Sequence, residues 1–485
     1  MVDQALERED KYEVTADYRL PALHDLLPKG GRLETIDYEI ENTYFDTPSV
    51  RLARWGVTLR RREGGPDAGW HLKVPAHAAR AEITDNSTSS TMPEALSELV
   101  EGIRAGEELR PVALITVART VHRLLGADGS PLVELADDRV SGSTMGDAAR
   151  ITSWREIEVE LKADSAPRLQ ERVGKRLVAA GASRSDFGSK LQRTLGFPGH
   201  ARTAPHVSTI GGLAWEYVAA QCLEIVRCDI GLRLDEPLVH KFRVAIRRLR
   251  STLKVFAPLF DPAASAALEP ELVWFAGLLG EVRDRDILTQ RLLAQLAELP
   301  AEVVLGSVAA HIETTLLLER SQHQARVREA MNSERYAALM KMILIWQTRP
   351  PLTKRAEKPV ADAERYLRRA RTKVTRRLAE AGGDVEALHA ARKAAKRYRY
   401  AAELTAETGG KKAARIVKST TRLQTLLGEH QDSVVSADFL RRLGAEAGAN
   451  GDQNGFTYGF LMAREWQRAE EIRNEAARGM GKRNG

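Results

Sequence analysis

The stretch whose reading decides the fold is VHKFRVAIRRLR at Val239–Arg250, which returns as LHAARKAAKRYR at Leu388–Arg399. His240, Arg243, Arg247, Arg248 and Arg250 align at one constant offset with His389, Arg392, Lys396, Arg397 and Arg399. A second pair of segments keeps almost the same offset: LLGEVRDRDIL at Leu278–Leu288 and LLGEHQDSVV at Leu426–Val435. In that pair Gly280, Glu281 and Asp284 match Gly428, Glu429 and Asp432. Two segments repeated at nearly constant spacing imply a duplicated structural unit.

At about 100° per residue, His240, Arg243, Arg247, Arg250 and Lys254 share one arc, with Phe242, Ile246, Leu249, Leu253 and Phe256 opposite. The spacing predicts an amphipathic helix with an apolar core face and a cationic stripe. No acid lies between Lys241 and Lys254, so the usual i,i+4 Glu–Lys neutralisation is missing. The second copy behaves alike, with His389, Arg392, Lys396 and Arg399 in one arc and no acid from His389 to Tyr400. One such helix reads as a solvated face. Two copies of a His-led, Arg-rich stripe read as a site for a polyanion.

Outward from the repeat, the pattern is helical almost throughout from Leu213. TRPPLTKRAEKP at Thr348–Pro359 marks a boundary between the duplicated halves, about 213–348 and 360–485, and GAEAGANGDQNG at Gly444–Gly455 reads as a loop. Residues 1–200 have a different texture. LEREDKYEV, TYFDTPSVRL, GVTLRRRE, GWHLKVP, ALITVARTVHRLL, PLVELADDRV and WREIEVEL alternate as strands, separated by turn formers. Helices are expected near Pro93–Ile103 and Ala166–Ala180, and 201–212 has linker composition.

Length and composition set bounds. A chain of 485 residues implies more than one domain, and 43% hydrophobic with 29% charged residues can bury a sizeable core. A net charge of +7 favours an anionic partner. Two cysteines, Cys222 and Cys228, imply no disulfide framework and fit a reducing cytoplasm. The N-terminus MVDQALERED is charged, unlike a signal peptide, and no apolar run of about 18 residues predicts a membrane span.

Residues two apart on a strand share a face, so Glu7, Glu9 and Lys11 form one array, Arg60 and Arg62 another, and Glu156, Glu158 and Glu160 a third. Charge at nearly every position from Glu7 to Lys11 suggests a polar interior, as in a barrel wide enough for a ligand. Carboxylates on separate strands suit Mg²⁺ or Mn²⁺, and Arg and Lys on others suit phosphate oxygens. Surface ladders of paired charges are the plainer alternative.

The set EREDK, YFDTP, LRRR, WHLKVP, RAE, ADD and EIEVEL resembles the CYTH family, the triphosphate tunnel metalloenzymes, built on a closed antiparallel barrel. The helical part resembles the CHAD family, whose two four-helix bundles carry basic faces that bind inorganic polyphosphate. The resemblance covers nearly the whole chain and implies an α+β multidomain protein: a closed antiparallel β-barrel with flanking helices over 1–200, then an all-α domain of two duplicated four-helix bundles over 213–485. It implies that Glu7 and Glu9, with Glu156 and Glu158, hold Mg²⁺ or Mn²⁺, and that Lys11 joins the catalytic set. Arg60, Arg62, Lys73, Arg80, Arg119, Arg123 and Lys190 would bind the triphosphate. Relatives often carry a second Arg two residues beyond the position of Arg119; here it is Val121. For polyphosphate the resemblance implies His240, Arg243, Arg247, Arg250, Lys254, His389, Arg392, Lys393, Lys396, Arg399 and His430, with Asp284, Asp286 and Asp432 orienting the cations.

The expected function is polyphosphate binding with metal-dependent triphosphatase activity on tripolyphosphate or a related triphosphate, in a cytoplasmic protein associated with polyphosphate granules. One alternative is a non-catalytic granule-targeting protein. Nucleic-acid binding ranks lowest, since the cationic faces lack interleaved aromatics apart from Tyr398 and Tyr400. Neither the oligomeric state nor the exact triphosphate is readable.

Overall fold

The computed structural model describes residues 3–7, 9–75, 80–87, 89–146, 149–162, 167–196, 208–380, 385–449 and 454–481. The chain forms two compact units, Met1–Thr203 and Ala204–Gly485.

The first unit is one antiparallel sheet. Its strands are β1 (Asp3–Glu7), β2 (Glu9–Val14), β3 (Arg32–Asp46), β4 (Thr58–Glu63), β5 (Gly69–Pro75), β6 (Arg80–Asp85), β7 (Arg110–Leu125), β8 (Pro131–Thr144), β9 (Ile151–Leu161) and β10 (Ser183–Arg184). The order across the sheet is β1-β6-β5-β4-β3-β7-β8-β9-β2-β10. The segment LEREDKYEV, expected as one strand, serves two partners: β1 pairs with β6, and β2 pairs with β9.

Short helices α1 (Arg51–Arg54), α2 (Glu94–Leu99) and α3 (Glu101–Arg104) fill connections, α4 (Pro167–Ala179) covers one sheet face, and α5 (Lys190–Leu195) follows β10. The helix expected near Pro93–Ile103 is thus two. In α4, Leu169, Val173 and Leu177 recur every fourth residue and pack on Tyr12, Leu135, Ile157 and Val159. Gly174 permits that approach, since a Cβ there would meet the Tyr12 hydroxyl at 2.2 Å. Because Ile157 and Val159 face α4, the alternating Glu156, Glu158 and Glu160 take the other face.

One carboxylate organises the β3–β4 connection. Asp46 is fully buried and accepts the amides of Thr47 (2.6 Å), Leu52 (2.8 Å) and Ala53 (2.9 Å), so the YFDTP segment ends a strand and starts α1.

The second unit is helical: α6 (Ile210–Arg233), α7 (Val239–Val255), α8 (Pro262–Ala297), α9 (Val308–Met331), α10 (Glu334–Thr348), α11 (Ala363–Glu380), α12 (Val385–Leu404), α13 (Ala406–Ala449) and α14 (Phe456–Gly481). The two repeat segments are α7 and α12, and the LLGE segments lie in α8 and α13. Phe242 packs edge-on against Phe275 and Phe275 packs tilted against Tyr336 in one core, at centroid distances of 5.2 and 4.7 Å. A second core joins Leu288, Leu292 and Ile312 to Leu440, Leu443 and Tyr458, so the long helices of both halves share it. The loop expected at Gly444–Gly455 begins later: α13 runs to Ala449, burying Ala447 against Tyr458, and 450–453 lie outside the described residues. Among the described residues, no helix is long and apolar enough to cross a membrane.

Candidate functional site

On the sheet face away from α4, register brings charged residues of separate strands together. Lys11 lies across from Glu158, Asp138 from both Arg119 and Glu156, Tyr44 from Arg60, Asn42 from Arg62, and Lys73 from Glu82.

Asp138, Glu156 and Glu158 each offer an oxygen, and these atoms lie within 4.8 Å of one another. The Lys190 ammonium, at the start of α5, sits among them at 2.8 Å from Asp138, 2.7 Å from Glu156 and 2.9 Å from Glu158. Arg119 grips Asp138 through two 2.7 Å bonds and reaches Glu158 at 2.9 Å. Lys11 bonds Glu158 and lies 3.3 Å from Glu9. Burial alone would neutralise these groups, but their partners prevail. Against desolvation, Lys11, Lys190 and Arg119 hold Glu158 well below the usual carboxylate range, and Asp138, Glu156 and Glu158 hold Lys190 well above the usual ammonium range. An all-oxygen donor set of this size fits a hard divalent cation.

The same face is cationic toward β4 and β5. Glu82 is shared by His71 (3.0 Å), Arg60 (3.6 Å) and Lys73 (3.6 Å). Arg62 meets the Asn42 amide oxygen at 3.3 Å and Asp67 at 3.8 Å; burial, Arg60 and Arg119 push its guanidinium down to about 10. Arg60 donates to the Tyr44 hydroxyl at 3.3 Å. Burial opposes ionisation of Tyr44, yet Arg60, Lys190 and Arg62 bring its phenol below the ordinary value. Cations that disfavour one another in this way are relieved by a bound anion.

Of the residues expected here, Lys11, Arg119, Glu156, Glu158 and Lys190 form one cluster, and Arg60, Arg62 and Lys73 line the cationic side. Glu7 and Arg80 are backbone partners, and their side chains lie outside the described residues. Arg123 pairs with Glu134 at 3.0 Å on the same strands. Val121 is buried between its register partners Ile36 and Ala136. Asp138 completes the carboxylate cluster without having been expected as a ligand; its signal is the alternation Glu134, Ala136, Asp138 in PLVELADDRV.

In the second unit a cleft of about 480 Å³ lies between the repeats, lined by His240, Arg243, Arg247, Arg283, Arg392 and Lys396, with Asp284 and Asp432 as its acids. The repeated glycines explain how it is built. Arg243 lies over Gly280, donating to its carbonyl at 3.3 Å and to Asp284 at 3.0 Å. A Cβ at Gly280 would come 3.4 Å from the Arg243 guanidinium, and one at Gly428 would come 3.2 Å from that of Arg392. Each half thus keeps a glycine where its arginine lies flat on the neighbouring helix. Arg247 donates to the Tyr400 hydroxyl at 2.7 Å, which aims it from α7 toward α12. Burial together with Arg392, Arg247, Arg243 and Arg399 pushes Lys396 down to about 7. Burial and the adjacent Arg283, Arg247 and Arg243 also lower His240.

Not every expected cation lines this cleft. Arg250 (3.9 Å) and Lys254 both meet Glu269 of α8, and Arg399 meets Glu403 and Gln424 at 3.1 Å each. Lys393 is exposed, and His430 is buried, its imidazole lowered by desolvation and Arg473. The His389 side chain lies outside the described residues. Arg283, in contrast, joins the cleft from the non-equivalent position beside Val282.

Comparison with known proteins follows the same division. The family model for the CYTH domain matches residues 5–195, and that for the CHAD domain matches residues 216–441. An uncharacterised protein of Mycobacterium tuberculosis is 32% identical across 97% of this chain and 94% of its own. The thiamine-triphosphatase of Homo sapiens is 33% identical over 112 residues, covering 19% of this chain and 47% of that enzyme. The CHAD domain of the plant Ricinus communis is 24% identical, covers 58% of this chain and 97% of its own, and superposes with a TM-score of 0.45.

Proposed function

Since the chain belongs to the CYTH–CHAD family of two-domain proteins, we propose that it binds inorganic polyphosphate through the helical cleft and hydrolyses triphosphate chain ends on the sheet domain. The observation that carries the enzymatic half is the meeting, on one sheet face, of three carboxylates within 4.8 Å and a cationic side in which Arg62, among the described residues, meets Asn42 and a distant Asp67. The observation that carries the binding half is the crowding of five described cations of the two repeats into one cleft.

The sheet domain is read as a closed tunnel, with the N-terminal segment as its seam, because β1 pairs with β6 while β2 pairs with β9 and a single residue separates them. The helical domain is read as two duplicated bundles over 213–485, joined to the tunnel domain, 1–200, by 201–212. Asp138, Glu156 and Glu158, with Glu7 and Glu9, would hold Mg²⁺ or Mn²⁺, which supplies Lewis-acid neutralisation of phosphate charge when bound. Arg60, Arg62, Lys73 and Arg119 bind the triphosphate oxygens and keep the terminal phosphorus in line for water, so that the bridging P–O bond breaks as a P–O bond to water forms. Lys11 and Lys190, already among carboxylates, turn to the phosphate oxygens as charge accumulates there. The named relative makes thiamine triphosphate one substrate to try beside tripolyphosphate.

A second reading keeps the binding and drops the turnover. It is favoured by Val121, buried where relatives often place a second arginine. Phosphate release from tripolyphosphate, measured with Mg²⁺, Mn²⁺ or EDTA beside a Glu7→Ala/Glu9→Ala double variant, separates the two. Metal-dependent release lost in the variant supports the hydrolase. Polyphosphate binding without release supports the binding protein.

A further inference from the structure

The two halves are not equivalent outside the cleft. By the repeat offset α11 is the counterpart of α6, and the first turns of α13 are the counterpart of the start of α8. Helix α6 is largely buried and apolar, with Arg227 and Arg233 toward its end. Helix α11 buries only Ala363, Tyr366, Ala370 and Val374, and its outer side carries Arg365, Arg368, Arg369, Arg371, Lys373 and Arg376, all exposed. The first five of these make no ion pair with another described residue, while Arg376 meets Glu380 at 3.6 Å. On α13, Lys411, Arg415, Lys418 and Arg422 recur at helical spacing, exposed, with no acid between Lys411 and Arg422. The matching stretch of α8 carries Glu269 and Glu271 instead.

The fold does not require these charges, because their counterparts in the first half lack them. Self-repulsion along a helix costs stability unless a partner offsets it. Both helices pack on α12, whose other residues Arg392 and Lys396 line the cleft. We infer that the outer faces of α11 and the first turns of α13 form a track that holds the part of a long polyphosphate chain extending beyond the cleft. A flexible chain of single charges suits it better than nucleic acid: Tyr366, the only aromatic of α11, is buried, so bases have nothing to stack on. This rests on the cleft reading above, and it makes chain length the quantity that the second half measures.

The test uses the full chain with two charge variants: Arg365→Gln/Arg368→Gln/Arg369→Gln/Arg371→Gln for α11, and Lys411→Gln/Arg415→Gln/Lys418→Gln/Arg422→Gln for α13. Glutamine keeps helix propensity on an exposed face, and circular dichroism checks the fold. Affinity is measured for tripolyphosphate and for a polyphosphate of roughly a hundred phosphates, over a salt series. Each variant is expected to lose at least tenfold in long-chain affinity, to keep tripolyphosphate affinity within twofold, and to show a salt slope shallower by about 3. Unchanged long-chain affinity and slope overturn the track. So does an equal loss for both ligands, or a loss confined to a DNA duplex. An Arg243→Gln/Arg392→Gln variant tests the cleft separately, since tripolyphosphate binding unaffected by it sinks the cleft reading and leaves the track to be judged on its own variants.

Discussion

Replacing Lys190 by Met removes the ammonium from among three carboxylates at 2.7–2.9 Å while keeping a flexible side chain of similar length. Asp138 and Glu158 retain Arg119, and Glu158 retains Lys11. Glu156, 4% exposed, keeps the Trp154 indole at 2.5 Å but loses its ion pair. Breaking a buried pair from one side costs about 3–5 kcal/mol, and the surviving cations put the loss at the lower end, about 3 kcal/mol. Amide exchange in β8 and β9 of the whole chain reads this directly, as an acceleration of roughly two powers of ten where those strands exchange by opening. Mg²⁺ should reverse it, because the freed oxygens then take the cation: at a hundred times its dissociation constant, about 2.7 kcal/mol returns. Exchange unchanged in Lys190→Met, or accelerated and indifferent to Mg²⁺, refutes the reasoning.

Polyanion binding in the cleft should weaken as pH rises through about 7, the value to which burial and Arg392, Arg247, Arg243 and Arg399 push Lys396. A bound anion favours the charged ammonium, so binding above that pH takes up a proton, measurable by calorimetry in buffers of different ionisation heat, and Lys396→Met flattens the profile. For the unliganded fold the sign is opposite: a base with a depressed pKa adds stability as pH rises from about 7 toward its ordinary range. Gly280→Leu and Gly428→Leu should fill the space of the Arg243 and Arg392 guanidiniums, weakening polyphosphate binding severalfold with helix content unchanged by circular dichroism. Asp46→Ala leaves the amides of Thr47, Leu52 and Ala53 without their acceptor and should cost about 3 kcal/mol in chemical denaturation. If the helical domain tethers a long chain near the tunnel, deleting Leu213–Gly485 lowers turnover of long polyphosphate and spares tripolyphosphate; equal rates on both exclude tethering.

The repeated stripe was legible because helical spacing is local: an arc of His and Arg opposite an arc of Phe and Leu needs no knowledge of neighbours. What the arc could not say is which helix arrives beside it. Arg250 and Lys254 share the arc of Arg243, yet Glu269 of α8 reaches them. Strand alternation likewise put Glu156 and Glu158 on one face, but Asp138 joins them only through the β8–β9 register, a non-local property. The partner switch between β1 and β2 has the same cause, since charges from Glu7 to Lys11 look alike whichever strand they face. Turn composition misplaced the end of α13 because a glycine can sit in a helix when tertiary contact supplies a reason, as at Gly444, where the Tyr458 side chain is 3.1 Å from the Cβ position. The cationic side of α11 escaped a search for repeats because it does not repeat.

The divided N-terminal segment also has a consequence for self-association. β1 covers the outer edge of β6, and β2 covers that of β9. Clipping the chain after Val14 would uncover both at once, each a row of unsatisfied amides and carbonyls able to pair with a second molecule. A protease cut at one end of the sequence would then act as a switch toward edge-joined polymers, which keep Asp138, Glu156 and Glu158 but lose Glu7, Glu9 and the Lys11 partner of Glu158.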